Sequence, residues 1–118
     1  ARGAIVNVGS VGAKGGIRNS AAYAAAKAAL VAVTRAAAIE WAPKGIRVNI
    51  VEPAFVSTEF NAPLVEAGLA DRMIAKMPTR TAITPESVAA TILYLGSPAN
   101  RDITGAVVPI DGGWTAKL

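Results

Sequence analysis

Cysteine and histidine are both absent from the 118 residues. That removes disulfides, zinc and haem sites of the usual kinds, cysteine nucleophiles, and every Ser-His-Asp or Cys-His arrangement. Charge is sparse as well: 17% of residues are charged and 53% are hydrophobic, which is too apolar for a disordered chain and enough to bury one core. The 12 Lys and Arg outnumber the 8 Asp and Glu for a net charge of +4, but the cations are scattered along the chain and never form a run. No aromatic residues interleave with them to stack bases, so no nucleic-acid partner is expected. The longest apolar stretch, 21–42, contains Lys27, Arg35 and Glu40. A central charge costs about 2.5–3.5 kcal/mol on insertion scales, so no membrane span is expected there. No basic leader with an apolar core and cleavage site is present, which makes a cytoplasmic location the expectation. No metal site is expected either. What remains is chemistry run by Tyr, Lys, Ser, Asp or Glu, or by a bound organic cofactor.

Periodicity sketches an alternation of strands and helices. Ala4-Ile5-Val6-Asn7-Val8 is a β-rich run stopped by Gly9, and Gly12, Gly15 and Gly16 make the next segment a loop. Asn19 and Ser20 are candidate N-caps for an Ala-rich helix over 21–41, ended by Pro43 and Gly45. A second strand comes at Arg47-Val48-Asn49-Ile50-Val51 and closes at Pro53. Val65, Leu69, Met73 and Met77 then recur every four residues, predicting one amphipathic helix between Pro63 and Pro78. Thr84-Pro85-Glu86 opens a third helix that Gly96 and Pro98 end, and the last strand is 106–110. This order predicts an α/β layer fold with parallel strands. The Ala-rich helix has almost no polar side and needs cover on every face. Three strands and three helices do not supply it, so missing chain, another subunit or both are expected to.

Tyr23 and Lys27 lie four apart on that helix, with Cβ atoms about 5–6 Å apart on one face. A phenol titrates near about 10, and a neighbouring ammonium lowers that value, tuning Tyr as a general acid or base. Ser10 stands where the first strand runs into its loop, and the carboxyl ends of parallel strands are where such sheets bind ligands. The three can converge. From these residues alone the structural account is the commoner one, in which Tyr23 anchors a helix end, Lys27 snorkels and Ser10 is a turn residue. A hydrolase nucleophile at Ser10 is excluded, because the elbow pattern G-x-S-x-G needs glycine where Val8 stands and no histidine is available as base.

Taken jointly, the spacings are more specific. Val6-Asn7-Val8-Gly9-Ser10, Tyr23-Ala24-Ala25-Ala26-Lys27, Arg47 to Pro53, Val56-Ser57-Thr58, Ile103-Thr104-Gly105 and Asp111-Gly112-Gly113 occur in one order along the chain. The pattern resembles the C-terminal half of the classical type of short-chain dehydrogenase/reductase, over essentially all of 1–118. The resemblance implies a Rossmann-like fold, the C-terminal catalytic half of a doubly wound parallel sheet. It implies an oxidoreductase that uses NAD or NADP to interconvert a secondary alcohol and a ketone. Catalytic roles would fall to Ser10, Tyr23 and Lys27, with Tyr23 as general acid and base. Cofactor contacts would fall to Tyr23, Lys27, Pro53, Val56 and Thr58, Thr58 taking the nicotinamide carboxamide. Thr104-Gly105 and Asp111-Gly112-Gly113 are assigned to turns and the oligomer surface, and 60–77 would be the substrate lid, although its apolar stripe is expected to pack inward.

Two departures stand out. Ala54 follows Pro53 where the family usually has glycine, and no G-x-G-x-x-G phosphate cradle occurs. The N-terminal nucleotide-binding half of the fold is therefore not represented. Starting at Ala1 and entering a strand at once, the chain reads as a piece of a longer protein. A homo-oligomer acting on a small carbonyl or alcohol substrate is expected. The alternative is a non-catalytic remnant or oligomerisation module of the same fold.

Overall fold

The computed structural model describes residues 2–117. Three parallel strands, β1 (Gly3–Val8), β2 (Ile46–Pro53) and β3 (Val107–Ile110), form one sheet with β2 in the middle. The register runs from Gly3 opposite Ile46 to Val8 opposite Val51, and from Ile50 opposite Val107 to Pro53 opposite Ile110. β2 is buried from Val48 to Pro53, as a central parallel strand must be. β1 is not: Ile5 is 40% exposed and Val8 45%. Its one partner among the described residues is β2.

Alternate residues of β2 serve opposite faces. Val48 packs against Ala37 and Ala38 of the helix α1 (Ala21–Trp41), with Trp41 and Ile46 alongside. Arg47 points the other way. Its guanidinium donates to the carbonyls of Leu95 (2.6 Å) and Ser97 (3.1 Å) at the end of the helix α4 (Pro85–Gly96). This satisfies carbonyls that a helix end leaves without partners. Buried Asn49 donates to Ile103 O at 2.9 Å and accepts from Ala106 N at 2.9 Å, holding the approach to β3. Thr104 Oγ1 accepts from Val48 N, and Gly105 N donates to Val48 O. Thr104-Gly105 is thus tied into the sheet within the chain, although Thr104 remains exposed.

α1 ends as expected, at Pro43 in a following 3-10 turn and at Gly45 in the left-handed region (φ 76°). Its start differs. Ser20 occupies the N-cap position without a side-chain cap; its hydroxyl instead donates to Arg18 O, and Asn19 takes a positive φ. By length and composition, Ala21–Lys44 suffices to cross a membrane, but Thr34, Ala37 and Ala38 are buried in the fold. Much of the rest is open, with Val33 58% and Ile39 77% exposed. A side-chain hydrogen bond joins this helix to β1: Asn7 Nδ2 donates to Thr34 Oγ1 at 2.9 Å.

The single amphipathic helix expected between Pro63 and Pro78 is in fact two, α2 (Ala62–Glu66) and α3 (Leu69–Lys76). Gly68, at φ 72°, takes the left-handed conformation that ends a helix, and a four-residue repeat cannot reveal that break. The stripe divides accordingly. Met77 is fully buried with Phe55 and Ala70, and Met73 packs on that cluster, while Val65 and Leu69 are exposed. α4 opens as read from its sequence, Thr84 Oγ1 accepting from Ser87 N at 3.1 Å.

Asp111-Gly112-Gly113 is a structural turn. The Asp111 carboxylate accepts from Gly113 N and Thr115 N, both at 3.0 Å, and from the Thr115 hydroxyl. Gly112 (φ 59°) needs glycine twice over, since a Cβ there would also strike Thr79, whose N–H donates to Gly112 O.

Candidate active site

The strand ladder carries one residue past β1, Gly9 N donating to Val51 O at 2.8 Å. A Cβ on Gly9 would lie 2.9 Å from Ile50 Cδ1, so a larger residue here would have to displace the end of the buried Ile50 side chain. Ser10 comes next in extended conformation and caps the 3-10 turn Val11–Lys14, its Oγ accepting from Gly12 N at 3.1 Å. A Cβ built on Gly12 would stand 3.3 Å from Ser10 Oγ and 3.7 Å from Tyr23 Cε1. Ser10 Oγ and the Tyr23 ring edge therefore both approach Gly12, with Ile17 Cδ1 nearer still at 2.9 Å from the same point.

One turn along α1, Lys27 Nζ lies 5.8 Å from the centroid of the Tyr23 ring and donates to Val8 O at 3.1 Å. Tyr23 is 51% exposed, which leaves the phenol accessible. The register places Pro53 beside Ser10: Val8 pairs with Val51, so Ser10 and Pro53 each stand two residues beyond that pair, at the same carboxyl end of the sheet. Beyond Pro53, Val56 bridges to Ile83 and its carbonyl accepts from Asn61 Nδ2. Thr58 is exposed and precedes the 3-10 turn Glu59–Asn61, its hydroxyl making no capping bond. Ala54 is not among the positive-φ residues, so replacing glycine here costs nothing in backbone conformation.

Sequence reading gave no role to Glu52 or Lys14. Glu52 is 1% exposed on β2, and Lys14 Nζ stands 3.3 Å from its Oε1. The only signal was an acid within an apolar strand, and its partner lies far away in sequence. Asp111 also faces Lys14: burial raises its carboxyl, but the Thr115 hydroxyl, the Thr115 and Gly113 amides and the Lys14 charge bring it below its ordinary value.

A family model described as enoyl-(acyl carrier protein) reductase matches residues 1–115. Cis-4-hydroxycyclohexanecarboxylate dehydrogenase of Sinomonas cyclohexanicum is 43% identical over 114 residues, 97% of this chain and 45% of that protein. A putative 2-deoxy-D-gluconate 3-dehydrogenase of Agrobacterium tumefaciens, solved with bound NADP, superposes with a TM-score of 0.91 at 32% identity. That match covers 98% of this chain and 48% of the other. 4-hydroxyisoleucine dehydrogenase complexed with NADH gives a TM-score of 0.92 at 36% identity, over 99% of this chain and 49% of the other. The chain spans about half the length of the curated relatives it matches.

Proposed function

The chain belongs to the short-chain dehydrogenase/reductase family, and from that membership we propose that it is the C-terminal half of an NAD(P)-dependent oxidoreductase interconverting a secondary alcohol and a ketone. The observation that carries the reading is the approach of Ser10 Oγ and the Tyr23 ring edge to one residue, Gly12, with Lys27 one helical turn away. The accessible Tyr23 beside Lys27, and the uncapped Thr58 hydroxyl, fit a nicotinamide and its ribose. Lys27 would hold the ribose hydroxyls, Thr58 the carboxamide, and Pro53 and Val56 the ring through apolar and backbone contacts. When bound, the nicotinamide supplies or takes up hydride.

The protein's own work is with the proton. In reduction the Tyr23 hydroxyl gives its proton to the carbonyl oxygen and is left as phenolate; in oxidation the Tyr23 phenolate takes the proton of the alcohol and is left as the hydroxyl. The Ser10 hydroxyl, which already accepts from Gly12 N, keeps its own proton to donate to the substrate oxygen. No G-x-G-x-x-G occurs among the 118 residues, so the dinucleotide phosphates fall to residues outside them. Small secondary alcohols, cyclic or open-chain, are the substrate class. The exposed face of α1 is covered by a second copy, giving a cytoplasmic homo-oligomer.

Replacing Tyr23 with Phe in the intact protein tests the assignment. Turnover of a secondary-alcohol panel should fall by at least about 10²-fold with dinucleotide affinity nearly unchanged. Undiminished turnover would sink it.

A further inference from the structure

Glu52 is a charged side chain where a buried strand calls for an apolar one. It interrupts the run Val48–Pro53, every member of which is buried. Its Oε1 receives no directed hydrogen bond among the described residues, and its compensation is the Lys14 ammonium at 3.3 Å. A carboxylate taken out of water is costly unless paired, so the fold retains this contact only if Lys14 stays where it is. Lys14 is the last residue of the turn Val11–Lys14, and Ser10 is its cap. Within that turn Ser10 O accepts from Ala13 N at 3.0 Å and Ser10 Oγ from Gly12 N at 3.1 Å. The two ends of a four-residue turn are therefore held by different things: one by the end of β1, the other by an ion pair to β2. Arg35 of α1 lines the same cleft as Glu52 and Lys14.

We infer that Glu52 is a positioning residue, fixing through Lys14 the turn that sets the Ser10 hydroxyl against Tyr23. This rests on the catalytic reading of Ser10 and Tyr23 above. The experiment is a double-mutant cycle in the intact protein, with Glu52→Gln made alone and in a Ser10→Ala background. Hydrogen exchange at the Gly12 and Ala13 amides is measured in parallel.

Glu52→Gln alone should lower kcat about tenfold and leave the KM for dinucleotide within about twofold. In the Ser10→Ala background the same change should have almost no further effect, because residues acting as one unit are not additive. Exchange at Gly12 and Ala13 should quicken about tenfold while the amides of α1 stay protected. Should Glu52→Gln fail to fold, Lys14→Gln, on the half-exposed partner, carries the same comparison, and Lys14→Arg should restore wild-type behaviour. Equal losses of kcat in both backgrounds with unchanged exchange would overturn the inference. A wild-type protein with no turnover on any secondary alcohol would overturn the oxidoreductase reading instead, and exchange at Gly12 and Ala13 would still decide whether Glu52 holds the turn.

Discussion

The Lys27 ammonium donates to the Val8 carbonyl at 3.1 Å while standing 5.8 Å from the centre of the Tyr23 ring. One cation thus joins α1 to the last residue of β1, two residues before Ser10, and faces the proposed proton donor. Lys27→Met removes both interactions. We expect turnover to fall about 10²-fold or more and dinucleotide binding to weaken together, in contrast to Tyr23→Phe, which should spare binding. Steady-state kinetics with a fluorescence titration of NADH and NADPH separates the two patterns; a Lys27→Met protein that binds dinucleotide like wild type would remove the ribose role.

Asp111 gives a pH dependence with a definite sign. Its carboxyl is brought below its ordinary value near 3.8, against the opposing effect of burial. A depressed folded-state value means stability present above about pH 4 and lost as pH falls through the folded value. Asp111→Asn should therefore cost about 1–3 kcal/mol at pH 7, for lost hydrogen bonds to a buried group. The gap between wild type and variant should close in acid. Urea midpoints at pH 7 and pH 3 check this, and a gap that widens in acid would contradict it.

Two glycines make a matched pair of opposite sign. Gly112→Ala places a side chain at φ 59° against Thr79 and should cost at least about 1–2 kcal/mol from the backbone alone. Gly15→Ala has open space and an extended backbone, so it should be neutral or stabilise by up to about 1 kcal/mol. Chemical denaturation of both variants beside wild type is sufficient.

The open face of α1 bears on assembly. Val33 and Ile39 are the most exposed large apolar residues on that helix, and in the proposed homo-oligomer a second copy covers them. Val33→Glu and Ile39→Glu should each shift sedimentation toward a smaller species while circular dichroism stays unchanged. An unaltered mass in both would place the contact elsewhere.

Much of this architecture is written in short-range chemistry, and those parts were legible. Pro43 with Gly45 stops α1, and Thr84-Pro85-Glu86 starts α4, because each signal acts within one turn of backbone. The four-residue step from Tyr23 to Lys27 is read directly from helix geometry. Other features depended on neighbours the sequence does not display. Gly68 splits the helix expected over Val65 to Met77, so Met77 joins the core while Val65 stays outside. Ser20 has the right chemistry for a cap and spends its hydroxyl on Arg18. Lys14 and Glu52 meet only because a turn folds back over β2.

The helix that carries Tyr23 is fastened to β1 at two points, by Lys27 to the Val8 carbonyl and by Asn7 to Thr34. Lys27 and Thr34 are seven residues apart, about 10 Å along the axis. Two anchors at that separation resist rotation as well as sliding, so strand and helix behave as a single lever. Ser10 and Tyr23 therefore sit on two elements that are joined directly to each other, at Val8 and at Asn7.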